Sequence, residues 1–233
     1  MKIKDSKILI TGGSSGLGKA MAVALVKKGA NILITGRDKQ KLVSIAKEIG
    51  CDYLHFDISN YALIAENAQK ALSLLGGLDV LINNAGIGEF DLLDDINVEQ
   101  FEKVFSTNVF GLAMLTQEVV RYFKKQNRGN IINIGSTAAA KGFAYGTVYS
   151  ASKFALRGMT QCWQAELRKF NIRVMLVNPS EVPTAFNESN RVEKKEEAKK
   201  LSAKEIAHSI VAVLSMDNRG FIPELAVWAT NPF

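Results

Sequence analysis

Short apolar runs alternate with amphipathic segments along nearly the whole chain, and no other feature restricts its fold as much. KILIT at 7–11, NILIT at 31–35, DYLHF at 52–56, DVLIN at 79–83, NIINIG at 130–135, IRVMLVN at 172–178 and FIPELAV at 221–227 read as strands. They are almost continuously apolar, as strands must be when helices cover both faces of a parallel sheet. Between them, KAMAVALVKKG and DKQKLVSIAKEIG have helical periodicity and close on Gly29 and Gly50, the residue type best suited to a left-handed helix end. The pattern predicts an α/β fold: a doubly wound parallel sheet of about seven strands with helices on both faces. With no repeat, low-complexity tract or linker, residues 1–233 read as one domain.

Composition narrows the function classes. At 233 residues and 47 % hydrophobic content the chain can build one sizeable core. No apolar run approaches the roughly 20 residues that span a bilayer, and MKIKDSKILITGG is not a cleavable leader, so the expectation is a cytoplasmic protein without a membrane partner. The net charge of +6 is scattered, without a basic run or interleaved aromatics, which argues against nucleic acid. RVEKKEEAKK at 191–200 mixes both signs and predicts an exposed helix stabilised by i,i+4 pairs. Two cysteines and two histidines without ligand spacing argue against a disulfide framework, a metal site and histidine catalysis.

A doubly wound sheet binds ligands at the carboxyl ends of its strands. After the first strand comes TGGSSGLGKA, with Thr11, Gly12, Gly16 and Gly18 in the pattern T-G-x-x-x-G-x-G and Ser14, Ser15 and Leu17 between them. Glycines allow a tight turn, and the following helix N-terminus offers N–H groups and a positive dipole end to a pyrophosphate. The second strand ends in Gly36-Arg37-Asp38, where NAD binders carry an acid for the ribose hydroxyls; a guanidinium instead suits a 2′-phosphate, favouring NADP(H) over NAD(H). The competing reading has Arg37 beginning a solvated helix capped by Asp38. In HFDIS, Asp57 beside Ile58 either accepts from an adenine amino group or caps the next helix. NNAG at 83–86 has Asn83 and Asn84 tying strands together, or Ala85 and Gly86 leaving room for a cofactor.

The fifth strand runs into GSTAAA, which places Ser136 at its end, and YSASK places Tyr149 and Lys153 one helical turn apart on one face. An ammonium about 5 Å from a phenol, at an effective dielectric of ~20, favours phenolate by roughly 3 kcal/mol, or about 2 pH units. The glycine turn, NNAG, the Asn within STNVFG, the Ser after strand five and Y-x-x-x-K together resemble the classical short-chain dehydrogenase/reductases, a Rossmann-like family, over nearly the whole chain.

That resemblance implies Tyr149 as proton donor, Lys153 as its electrostatic partner and ribose contact, Ser136 as the orienting hydrogen-bond partner, and Asn108 as holder of a water between Lys153 and solvent. It implies cofactor contacts from Pro179, Val182 and Thr184, although Ser180 stands where the family has glycine and Glu181 adds a charge. The implied reaction is NADPH-dependent reduction of a ketone or aldehyde. 3-Oxoacyl-carrier-protein reduction and a non-catalytic NADP-sensing role are the alternatives; the longer sugar-nucleotide epimerases differ in glycine spacing and length. Phe90, Ala138, Phe143, Tyr145 and Phe186 suggest an apolar substrate pocket, and residues 185–201 a mobile lid. The family also implies a homotetramer or homodimer through helices around 97–127 and 149–170, with WATNPF near a symmetry axis.

Overall fold

The computed structural model describes residues 1–187 and 195–232. Seven strands form one sheet: β1 (Lys7–Ile10), β2 (Asn31–Gly36), β3 (Asp52–His55), β4 (Val80–Asn83), β5 (Gly129–Ile134), β6 (Ile172–Pro179) and β7 (Glu224–Val227). Their order is β3-β2-β1-β4-β5-β6-β7, and every pairing is parallel. The chain winds outward from β1 to β3, then crosses back to place β4 on the other side of β1. That reversal opens a crevice above the carboxyl ends of β1 and β4.

Alternation along each strand divides the core. Ile8 and Ile10 of β1, Ile82 of β4 and Ile132 of β5 face α1 (Gly16–Val26), α2 (Lys39–Ile49) and α7 (Ala203–Ser215). Leu9, Leu81, Ile131 and Leu176 point the other way, onto α3 (Ile64–Leu75), α5 (Leu112–Gln126) and α6 (Thr147–Leu167). Each fully buried aliphatic side chain contributes about 1.5–3 kcal/mol, so slipping a strand by one residue would exchange both cores at large cost. The expected two-faced sheet is therefore the observed one.

Several local expectations need correction. FIPELAV enters the sheet only at Glu224, because Pro223 has no N–H for the ladder; its carbonyl instead accepts from Leu176 N–H at 3.0 Å. The segment expected as a helix at 191–200 is not helical over residues 195–200. Ser202 and Glu205 form a capping box that starts α7 at Ala203; Lys200 pairs with Glu181 at 2.7 Å and with the nearby Glu197 at 3.2 Å, and Lys204 in the first turn of α7 pairs back to Glu196 at 3.0 Å. Of the segment expected to be a mobile lid, 185–201, residues 188–194 lie outside the described residues. Between α4 (Val98–Phe105) and α5 the backbone widens into a π-helical turn, Ser106–Gly111, that helical periodicity does not signal. No helix among the described residues is long and apolar enough to cross a membrane.

Away from the crevice, Arg173 of β6 is only 6 % exposed. It donates to Asn130 Oδ1 at 2.7 Å and to the carbonyls of Leu214, Met216 and Gly220 at 3.5, 3.3 and 3.2 Å, closing the C-terminal end of α7. Replacing it with methionine leaves those acceptors without their charged donor. Arg173→Met should lower the unfolding free energy by about 2 kcal/mol in urea denaturation, while activity per folded molecule stays unchanged.

Candidate active site

A cavity of about 1480 Å³ opens at the carboxyl ends of the strands. One end is the turn after β1. Gly12, at φ +66°, packs so closely that a Cβ there would lie 2.9 Å from Ala85 Cα; a Cβ at Gly18 would lie 2.2 Å from the Gly12 carbonyl oxygen. The turn is knitted to the end of β4: Asn84 Nδ2 donates to the carbonyls of Thr11 and Gly12 at 2.9 and 3.0 Å, and Thr11 Oγ1 accepts from the N–H groups of Asn84 and Ala85, both at 3.0 Å. Ser15 begins α1 without turning its side chain onto the first turn, which contains no acidic residue. A helix N-terminus left in this state suits an anion.

The remaining residues expected to contact a nucleotide sit around this turn. Ser14, Ser15, Gly16 and Leu17 line the cavity, as do Ala85 and Gly86, while Gly18 is buried behind them. Arg37 and Asp38 lie at the end of β2; Asp38 Oδ1 accepts from Lys41 N–H at 3.0 Å and caps α2, as one of the two readings expected. Arg37 is held from its backbone, where its carbonyl accepts from His55 Nε2 at 2.9 Å. Asp57 does not cap a helix: its Oδ1 accepts from Ser59 N–H at 2.9 Å and Oγ–H at 2.8 Å, closing a local turn while Phe56 and Ile58 line the cavity. Asn83 ties strands and helix together, donating to Asn133 and Thr116, both at 2.9 Å.

The other end of the cavity holds Ser136, Tyr149 and Lys153. Tyr149 is half-buried beneath aromatic rings, with Phe90 at 5.3 Å and Phe186 at 5.6 Å between centroids, and Phe143 at 6.1 Å from Phe90. Ala138 and Tyr145 complete this wall, and Pro179, Val182 and Thr184 line the opposite side. Thr184 closes on the glycine turn, where a Cβ at Gly16 would come within 3.3 Å of it. Lys153 is 5 % exposed, donates from Nζ to the Ile134 carbonyl at 3.0 Å and lies 5.6 Å from the Tyr149 ring centroid.

One expectation about this end changes, and one residue proves more constrained than its spacing suggests. Asn108 sits in the π turn with both amide hydrogens engaged, donating to Ile87 O at 2.9 Å and Ser152 Oγ at 3.0 Å, while its Oδ1 accepts from Ile87 N–H at 2.9 Å. Its side chain therefore locks the strand extension after Gly86 onto α6. Helix spacing alone also suggests a phenol made more acidic by its lysine. Burial reverses this: it pushes Tyr149 up to about 12, against a pull from the Ser136 hydroxyl, and pushes Lys153 down to about 8.

Sequence reasoning missed Trp228, placed with the tail near a symmetry axis. It lines the cavity, because the β6–β7 register pairs Pro179 with Val227 and so brings the next residue to the same rim. Parallel register at the sixth and seventh strands was the available signal.

The model of the short chain dehydrogenase family matches residues 6–195. The chain belongs to this family. An uncharacterized oxidoreductase of Staphylococcus epidermidis is 29 % identical over 228 residues, covering 97 % of this chain and 98 % of the relative. Among solved structures, an alcohol dehydrogenase from the archaeon Thermococcus sibiricus, complexed with 5-hydroxy-NADP, superposes with a TM-score of 0.88 at 27 % identity, covering 97 % of each chain. A metagenomic short-chain oxidoreductase in complex with NADP gives 0.83 at 29 % identity, covering 97 % of this chain and 98 % of the other. This short chain dehydrogenase is thus an oxidoreductase whose family likeness spans the whole sheet.

Burial of Lys153 has a consequence for stability. Its folded-state value, about 8, lies below the ordinary 10.5. Below pH 8 both states hold the proton and the buried charge is fully opposed; above it the folded state releases the proton first, so stability rises with pH. Tyr149, raised from 10.0 to about 12, acts in the opposite sense only above pH 10. The unfolding free energy of the wild type relative to Lys153→Met should therefore climb between about pH 8 and 10 in urea titrations; a flat difference would contradict the burial argument.

Proposed function

We propose that the protein is an NADP(H)-dependent oxidoreductase that reduces a ketone or aldehyde to an alcohol, with Tyr149 giving its proton to the substrate oxygen. The observation that carries this reading is the placement of a protonated, ring-enclosed phenol and a buried lysine in the same cavity as the glycine turn. The residues present fit a dinucleotide. Gly12 and Gly18 leave a cradle that a Cβ would fill, and the N-terminus of α1, with no acidic residue in its first turn and no side-chain cap from Ser15, would receive the pyrophosphate. Arg37 makes no side-chain hydrogen bond or ion pair among the described residues and meets a 2′-phosphate; Asp38, committed to its cap, is withdrawn from the ribose hydroxyls. When bound, the nicotinamide supplies a hydride.

The chain's own part is position, a proton and charge. Tyr149 holds its proton at neutral pH, as an unperturbed phenol also would, and its O–H is available to a carbonyl oxygen resting on Ser136. The phenolate left behind is stabilised by the Ser136 hydroxyl and the Lys153 ammonium. Phe90, Phe143 and Phe186 exclude water and favour a carbonyl with apolar or aromatic substituents. Of the expected lid, residues 185–201, the described part is tied to the cavity rim by Lys200 and Glu181. Self-association is supported by Phe110, Met114 and Phe154, large apolar side chains exposed along the π turn, α5 and α6.

Tyr149→Phe should reduce kcat/KM for carbonyl reduction by about 10³-fold at pH 7 with NADPH binding retained, checked by NADPH oxidation and cofactor fluorescence; unchanged turnover would remove the proton donor. Arg37→Ala should raise KM for NADPH by about tenfold or more and leave that for NADH unchanged.

A further inference from the structure

Catalytic spacing on α6 extends one turn past Lys153: Tyr149, Lys153 and Arg157 follow at intervals of four on one helix face. Arg157 Nε donates to Glu224 Oε2 of β7 at 3.1 Å. The other carboxylate oxygen, Oε1, accepts from Asn178 Nδ2 at 2.9 Å. Asn178 Oδ1 in turn accepts from the Ser136 backbone N–H at 3.1 Å. Ser136 turns its hydroxyl to the Ala138 N–H at 3.1 Å and to the Tyr149 phenol, which returns the path to α6. The contacts close into a ring: helix, β7, end of β6, end of β5, and helix again.

We propose that Asn178, Glu224 and Arg157 are positioning residues that hold the Ser136 hydroxyl against the Tyr149 phenol. The proposal rests on the carbonyl-reductase reading above and gives three further residues a part in it. Asn178 is 2 % exposed, and its amide fits only because position 135 is glycine: a Cβ there would lie 2.0 Å from Asn178 Oδ1. The strands need no such amide to pair. Backbone bonds from Gly135 to Val177 and from Ser180 to Val227, both 2.8 Å, already continue the ladders on either side. What Asn178 adds is a fixed direction for the Ser136 N–H, and with it the orientation of a residue whose hydroxyl must meet the reacting oxygen. Arg157 and Glu224 are partly exposed, their side chains 34 % and 31 % accessible, so their ion pair contributes little stability. It does fix which carboxylate oxygen faces Asn178.

Inverting the polarity of the relay tests it. Asn178→Asp sets two carboxylates face to face and breaks the link to Glu224. Adding Glu224→Gln restores every donor to an acceptor: the new amide donates to the carboxylate at 178, which still accepts from Ser136, and its carbonyl accepts from Arg157. Asn178→Asp should lower kcat for carbonyl reduction by about tenfold or more, since small misplacements of reacting groups are costly, while the Kd for NADPH stays within about twofold. The double variant should recover kcat to within about threefold of wild type, with thermal midpoints not following that order. Wild-type kcat in Asn178→Asp, no recovery in a folded double variant, or activity that simply tracks thermal midpoint would each overturn the relay. Hydrogen exchange at the Ser136 amide is read in parallel on the cofactor-free protein and should speed up in Asn178→Asp and slow again in the double variant. If the wild type reduces no carbonyl, the functional reading fails, and the exchange pattern alone decides whether the relay holds Ser136.

Discussion

The bond from Lys153 Nζ to the Ile134 carbonyl is the contact on which the site depends. It joins the face of α6 that carries Tyr149 to the last residue of β5, two positions before Ser136. An ammonium so deeply buried is costly, and the cost is met only because a strand end presents a carbonyl with no ladder partner to take it. Burial also raises the phenol of Tyr149. One packing decision therefore sets the distance between helix and strand and moves both the lysine and the tyrosine away from their ordinary values.

At the nucleotide end, the absence of side chains does comparable work. Gly12 and Gly18 let the turn after β1, the N-terminus of α1 and the end of β4 approach to distances that any Cβ would forbid. Thr11 and Asn84 then satisfy the backbone groups brought together there. A crevice walled by backbone and small residues is left between β1 and β4, where the winding reverses. Cradle and chemical groups share one cavity because parallel strands bring all their carboxyl ends to one edge.

Features with local physical causes could be read before the structure was seen. Apolar runs marked the five inner strands, since a residue buried on both faces of a sheet has few alternatives to being aliphatic; the edge strands β3 and β7, largely exposed or half-buried, showed more weakly. Asp38 was already one of two readings as a cap, and its bond to Lys41 N–H decides between them. Expectations failed where distant partners intervened. Charges at 196, 200 and 204 look like helix pairs but reach Glu181 and one another across the chain, with the capping box at Ser202 taking over the helix start. The tie between Asn108 and both Ile87 and Ser152 likewise has no sequence signal. The tyrosine was read through its nearest charge, whereas desolvation in a site walled by the rings of Phe90 and Phe186 raises it against the pull of the Ser136 hydroxyl.

By itself, then, the sequence determined the doubly wound sheet, the glycine turn and the adjacency of Tyr149 and Lys153, because periodicity, missing Cβ atoms and helical spacing act over a few residues. Tertiary structure decided which carboxylates and amides remain available, where Trp228 and Glu224 lie, and whether the phenol gains or loses acidity. Those outcomes depend on burial and on hydrogen-bond partners tens of residues away, and a linear pattern contains neither.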